Sequence, residues 1–139
     1  MAHRPRVGGS GPVSRILLIE DDADLRVLIE HVLVGDCHEV DPATTVAAGR
    51  ILLVRKRYDV VLSDVLLPDG TGVEIAAYAE QRGIPAIIVT SHGFGLPKRE
   101  LAAYRLLFKP VRPAELLEAI ERMLNPSFVA RCSGANGAK

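Results

Sequence analysis

The chain has 139 residues, is 48% hydrophobic and has a formal net charge of 0, with Lys plus Arg and Asp plus Glu both at 17. That length suits one domain, and the apolar share suffices for a packed core. A neutral balance without Trp offers no platform for direct nucleic-acid binding, and the apolar runs are too short to span a bilayer.

Residues Met1 to Ser14 are rich in Gly, Pro, Ser and Arg and read as a flexible segment without the apolar core of a signal peptide. Cys37 and Cys132 form no Cys-x-x-Cys pair, so both read as free thiols in a reducing cytoplasm. Ile16 to Ile19 is an apolar run that stops abruptly at Glu20, Asp21 and Asp22, the pattern of a buried first strand. Leu25, Leu28, Ile29 and Val32 then follow the spacing of one helix face. Glu39 to Asp41 is a weak second strand. Ala47, Ile51 and Val54 mark the face of a second helix capped by Thr44 or Thr45. Arg55, Lys56 and Arg57 end that helix, where cations favour its negative C-terminus.

Val60 to Leu62 reads as the third strand, and Val73 to Gln81 as a helix after Gly70 and Gly72. Ala86 to Val89 is the fourth strand, and Lys98 to Tyr104 a short fourth helix. Leu106 to Phe108 is the fifth strand. Pro113, Leu116, Ile120, Met123 and Leu124 describe a last helix with proline in its first turn. Residues Asn125 to Lys139 form a flexible tail, which leaves one domain over residues 15–124. Strands alternating with helices give a doubly wound parallel sheet with helices on both faces. Such folds place their sites just beyond the carboxyl ends of the strands.

Glu20, Asp21 and Asp22 follow the first strand, Asp64 the third, Thr90 and Ser91 the fourth, and Lys109 and Pro110 the fifth. Converging carboxylates repel one another, and a divalent cation relieves that cost. Their hard oxygen ligands suit Mg²⁺. Asp64 could then attack a phosphoryl group, with Lys109 and the Thr90 hydroxyl meeting the phosphoryl oxygens. Each residue also has a plain structural role open to it. Asp21, Asp22 and Asp24 suit a helix N-terminus, Asp64 a turn, Thr90 a cap and Lys109 the solvated surface. The joint placement after separate strands favours the functional reading.

The ordered set resembles the receiver domain of bacterial response regulators. Arg15 to Asp22, RILLIEDD, is similar to the family's first strand and acidic pair. Leu62 to Gly72, LSDVLLPDGTG, is similar to the phosphoacceptor strand and its loop, with Pro68 and Gly72 at matching places. Thr90 and the pair Lys109-Pro110 match the ends of the family's fourth and fifth strands, the latter peptide typically cis. The resemblance implies a flavodoxin-like sheet in the order 2-1-3-4-5. It also implies Mg²⁺ bound by Asp21, by Glu20 through water, by Asp64 and by the Leu66 backbone carbonyl. Asp64 would be the phosphoacceptor, and Thr90, Ser91, Lys109 and Pro110 would form the phosphoryl-binding and switch region. The resemblance further implies that Leu66 and His92 stand where family members tune the lifetime of the aspartyl phosphate, although His92 alone reads more simply as a solvated loop histidine.

The implied partners are a histidine kinase or histidine phosphotransfer protein and a downstream protein. The chain would be a cytoplasmic monomer or weak dimer, and a self-catalysing phosphoacceptor, not an enzyme. It would be either a complete regulator or the receiver of a larger regulator or hybrid kinase. Two features depart from the family. Leu106 stands where an aromatic residue is usual, with Phe108 expected on another face or layer. The segment after Thr90 is short and carries Gly93, Gly95 and Pro97. These keep open a receiver-like interaction module that works without phosphate. A haloacid-dehalogenase-like phosphatase is disfavoured because Leu66 stands where a second Asp is needed. A flavodoxin-like electron carrier is disfavoured because acids fill its phosphate loop.

Overall fold

The computed structural model describes residues 14–91, 101 and 103–125 of the chain. The flexible segments expected at either end lie outside these residues, apart from Ser14 and Asn125. So do His92, Cys132 and most of the expected fourth helix, of which Leu101 is helical.

The strands are β1 (Arg15–Ile19), β2 (Glu39–Ala43), β3 (Val60–Asp64), β4 (Leu66–Leu67), β5 (Gly70–Thr71), β6 (Ala86–Thr90) and β7 (Arg105–Phe108). The helices are α1 (Ala23–Gly35), α2 (Val46–Arg55), α3 (Gly72–Gln81) and α4 (Pro113–Leu124). Five strands pair in the order β2-β1-β3-β6-β7, all parallel. β4 and β5 form a separate two-stranded antiparallel ribbon, which the sequence reading did not anticipate.

Alternation along the strands divides the core into two layers. Leu17, Ile19, Val61 and Ile88 face α2 and α3, where Val46, Leu53, Ile75 and Ala79 meet them. Ile16, Leu18, Leu62 and Val89 face α1 and α4, against Ile29, Leu33, Leu116 and Ile120. β3 and β6 are buried along their full length, which explains their unbroken apolar sequence up to the functional ends.

Local chemistry sets the helix ends. Asp22 caps α1 by accepting from the Leu25 N–H, so the plain structural role holds for this residue. Thr45, not Thr44, caps α2 through the Ala48 N–H. Pro113 opens α4.

The buried face of α2 corrects the sequence reading. Val46, Gly49 and Leu53 pack inward, whereas Ala47, Ile51 and Val54 face solvent. Leu28 in α1 is likewise exposed, while Leu33 takes a core place. Gly49 explains the α2 orientation. A Cβ there would lie 2.5 Å from Ile19 Cδ1, so the missing side chain lets the helix lie close over β1. Among the described residues, no helix is long and apolar enough to cross a membrane.

Candidate functional site

The carboxyl ends of β1, β3, β6 and β7 converge on a cleft of about 410 Å³ lined by Glu20, Asp21, Asp64, Leu66, Ser91 and Lys109, among others. Glu20 and Asp64 are buried, at 1% and 5% exposure, and Asp21 is open to solvent. One carboxylate oxygen from each of these three residues lies within 4.8 Å of the others. Lys109 extends from the end of β7, and its Nζ donates to Asp64 Oδ2 at 3.2 Å.

The backbone builds this arrangement. The Glu20 N–H donates to the Ala43 carbonyl at 3.0 Å, which continues the β1–β2 ladder to the acidic turn. The Lys109 N–H donates to the Thr90 carbonyl at 2.8 Å, so β7 delivers the lysine beside the end of β6. The Lys109-Pro110 peptide is cis, as the resemblance implies.

Glu20 carries the most perturbed charge in the cleft. Burial, reinforced by the Asp64 carboxylate, pushes it up to about 7, against partial relief from the Asp22 N–H and Lys109. Its Oε2 accepts from the Asp22 N–H at 3.1 Å. Its buried Oε1 has no hydrogen-bond partner among the described residues. An orphaned buried oxygen beside two more carboxylates fits a hard divalent cation, whose charge would satisfy it.

A pH prediction follows for the metal-free protein. Glu20 has a folded value of about 7 against an ordinary 4.5, so its proton is retained longer in the fold. Its stabilising contribution is full below about 4.5 and is lost as pH rises through about 7. Glu20→Gln, measured by urea unfolding in chelator, should remove that decline and stabilise the protein at pH 8 by on the order of 1 kcal/mol or more. A wild-type decline that persists unchanged in Glu20→Gln would contradict the assignment.

Thr90 is buried at the end of β6, but its hydroxyl donates to the Ser91 carbonyl at 3.3 Å, and Thr90 is not among the cleft's lining residues. Ser91 lines the cleft. Pro110 lines a neighbouring groove along β7 and α4. Leu66 sits at the cleft with its side chain exposed. Leu106 pairs in register with Ile88 and packs on the core layer beneath α2 and α3. Phe108 pairs with Thr90, shares the face of Leu106 by strand alternation, and stands one layer nearer the cleft.

Three residues that shape the site were not anticipated. Asp69 accepts from the Val46 and Ala47 N–H groups at 2.7 and 3.0 Å, tying the loop after Asp64 to the start of α2. These bonds hold its carboxyl below the usual range. Arg26 donates to the Glu20 carbonyl at 2.9 Å, fastening α1 to the acidic turn. Ser63 Oγ donates to the Asp64 carbonyl at 2.9 Å. The Asp-Gly step at Asp69 signals a turn, but no local pattern announces its reach to α2.

Fold and site together define a doubly wound α/β domain with an acidic pocket at its strand ends and a lysine facing one of the acids. A family model described as the response regulator receiver domain matches residues 16–121, and the chain belongs to that family. The chain is 32% identical over 120 residues to the response regulator protein PilR of Pseudomonas aeruginosa, covering 81% of this chain and 27% of PilR. It is 30% identical to the transcriptional regulatory protein GlrR of Escherichia coli, covering 94% of this chain and 29% of GlrR. The chain thus spans less than a third of these two relatives. Among solved structures, a CheY-like receiver domain protein from Methanospirillum hungatei superposes with a TM-score of 0.74 at 28% identity, covering 85% of this chain and 98% of that one. The chemotaxis response regulator CheY4 of Vibrio cholerae gives 0.73 at 26% identity, covering 81% and 99%.

Proposed function

We propose that the chain is a phosphoacceptor receiver that takes a phosphoryl group onto Asp64 from a phosphohistidine of a histidine kinase or phosphotransfer protein. The observation that carries this reading is the Lys109–Asp64 contact of 3.2 Å beside the Glu20 and Asp21 carboxylates. An Asp64 oxygen attacks phosphorus, an O–P bond forms, the N–P bond of the donor breaks, and the imidazole leaves with the electron pair. Lys109 neutralises a phosphoryl oxygen as a compact charge. The Thr90 hydroxyl, released from the Ser91 carbonyl, donates to another. Asp21, Asp64, the Leu66 carbonyl and, through water, Glu20 would hold Mg²⁺, which would supply the charge neutralisation that the carboxylates need before a further anion enters.

The chain's chemistry is self-catalysed acceptance and slow loss of the phosphoryl group, so the protein is not an enzyme in the ordinary sense. Its output is a shift between two packings near β6 and β7 that changes binding to a downstream protein in the cytoplasm. The longer relatives support a receiver that belongs to a larger regulator. A receiver-like interaction module without phosphate is the second reading, favoured by Leu106 in the core where the family carries an aromatic.

Beryllium trifluoride, a phosphoryl mimic, separates the two. With Mg²⁺ it should raise the melting temperature by several degrees beyond Mg²⁺ alone, and not in Asp64→Asn. An unchanged melting temperature would favour the interaction module.

A further inference from the structure

The C-terminal end of α2, remote from the acidic cleft, carries a local run of positive charge. From Val46 to Tyr58 the chain has Arg50, Arg55, Lys56 and Arg57 and no carboxylate. These follow or lie on α2, whose outward face presents Ile51 at 52% and Val54 at 62% exposure beside exposed Ala47. Arg82, at the end of α3, joins them in lining a hollow of about 240 Å³ with Val54, Arg55, Lys56, Arg57 and Tyr58, among others. No carboxylate lines that hollow.

The cations differ in how far they are engaged. Lys56 pairs with Asp41 at 3.2 Å. Arg50 and Arg82 stack on Tyr78, at 4.9 and 4.8 Å from its ring centroid, and Arg82 donates to the Tyr78 hydroxyl at 2.8 Å. That stacking fixes two guanidinium groups in place, and among the described residues neither forms an ion pair. Arg55 and Arg57 form no ion pair among the described residues.

We infer that this α2 surface is a docking site for an acidic amphipathic helix of a protein partner. An apolar pair three residues apart on a helix asks for an apolar stripe on its counterpart. The flanking arginines ask for carboxylates along the edges of that stripe. Nucleic acid would satisfy the charge but leave Ile51 and Val54 facing a polar backbone, so a helix with both features fits better. The surface shares no lining residue with the phosphoryl-binding cleft.

The test uses a synthetic helical peptide with leucines at i, i+3, i+4 and i+7 and glutamates along their flanks, labelled for fluorescence anisotropy. A scrambled peptide of the same composition and a DNA duplex are the competing probes. The designed peptide should bind the full chain more tightly than either. Arg55→Glu with Arg57→Glu should weaken it about tenfold or more, and Ile51→Ser with Val54→Ser by a similar factor, each with an unchanged circular dichroism spectrum. The milder Arg55→Ala with Arg57→Ala pair serves if the charge reversal perturbs folding. Equal binding of the scrambled peptide, tighter binding of the duplex, or indifference to both sets of substitutions would overturn the proposal. Sedimentation showing self-association that Arg55→Glu with Arg57→Glu abolishes would also overturn it, by making a second copy the occupant.

Discussion

Gly72→Ala should destabilise the protein by about 3 kcal/mol, at the upper end of overpacking effects, because the obstacle is backbone. A Cβ at this position would stand closer than 3.0 Å to both the Asp64 carbonyl oxygen and the Ser63 hydroxyl. The Gly72 N–H also donates to the Val65 carbonyl at 2.9 Å, which fixes the start of α3 against the end of β3. The helix cannot retreat without losing that bond, and β3 cannot move because it is buried along its length between β1 and β6. The new methyl group therefore pushes directly on the segment that carries Asp64. Urea unfolding should show a lowered midpoint with an unchanged slope. Gly35→Ala is the control, since a Cβ there meets nothing within 4 Å. A loss no larger than in Gly35→Ala would mean that the contact at Gly72 yields more easily than its geometry indicates.

Asp21→Asn should weaken Mg²⁺ binding by at least about tenfold, since even residues that merely orient metal ligands cost 10- to 100-fold when replaced. Asp21 is the open member of the acidic cluster, and Glu20 and Asp64 are buried behind it. Its carboxylate is the one that an arriving hydrated cation meets first. The asparagine keeps the size and one oxygen but loses the charge, so the fold should persist. Isothermal titration with Mg²⁺ reads the affinity directly. The same substitution relieves repulsion within the cluster, so the metal-free variant should be at least as stable as the wild type. Unchanged Mg²⁺ affinity would remove Asp21 from the ligand set.

The three central strands were legible because they are buried on both faces. Ile16 to Ile19, Val60 to Leu62 and Ala86 to Val89 are short, nearly pure apolar runs that end in polar residues. The site was legible for the same reason: a carboxylate, hydroxyl or ammonium directly after such a run must lie at the sheet's carboxyl edge. Glu20, Asp64 and Lys109 meet there as expected.

The orientation of α2 was not legible. Ile51, Leu52, Leu53 and Val54 are all apolar, so spacing alone does not choose a face; in the fold Gly49 lies against Ile19 and Ile75 on the inward face. The grip of Asp69 on the α2 backbone spans more than twenty residues and depends on the β4–β5 ribbon, whose two-residue strands leave no periodic trace. Thr90 lies at its strand end, but no sequence pattern announces that its hydroxyl turns to the Ser91 carbonyl.

Mass spectrometry of the purified chain after incubation with acetyl phosphate and Mg²⁺ shows whether Asp64 accepts a phosphoryl group. A single labile phosphoryl adduct, mapped to Asp64 and absent from both Asp64→Asn and a chelated sample, is the predicted result. An adduct that survives in Asp64→Asn, or none under any condition, would contradict a phosphoacceptor built on Asp64.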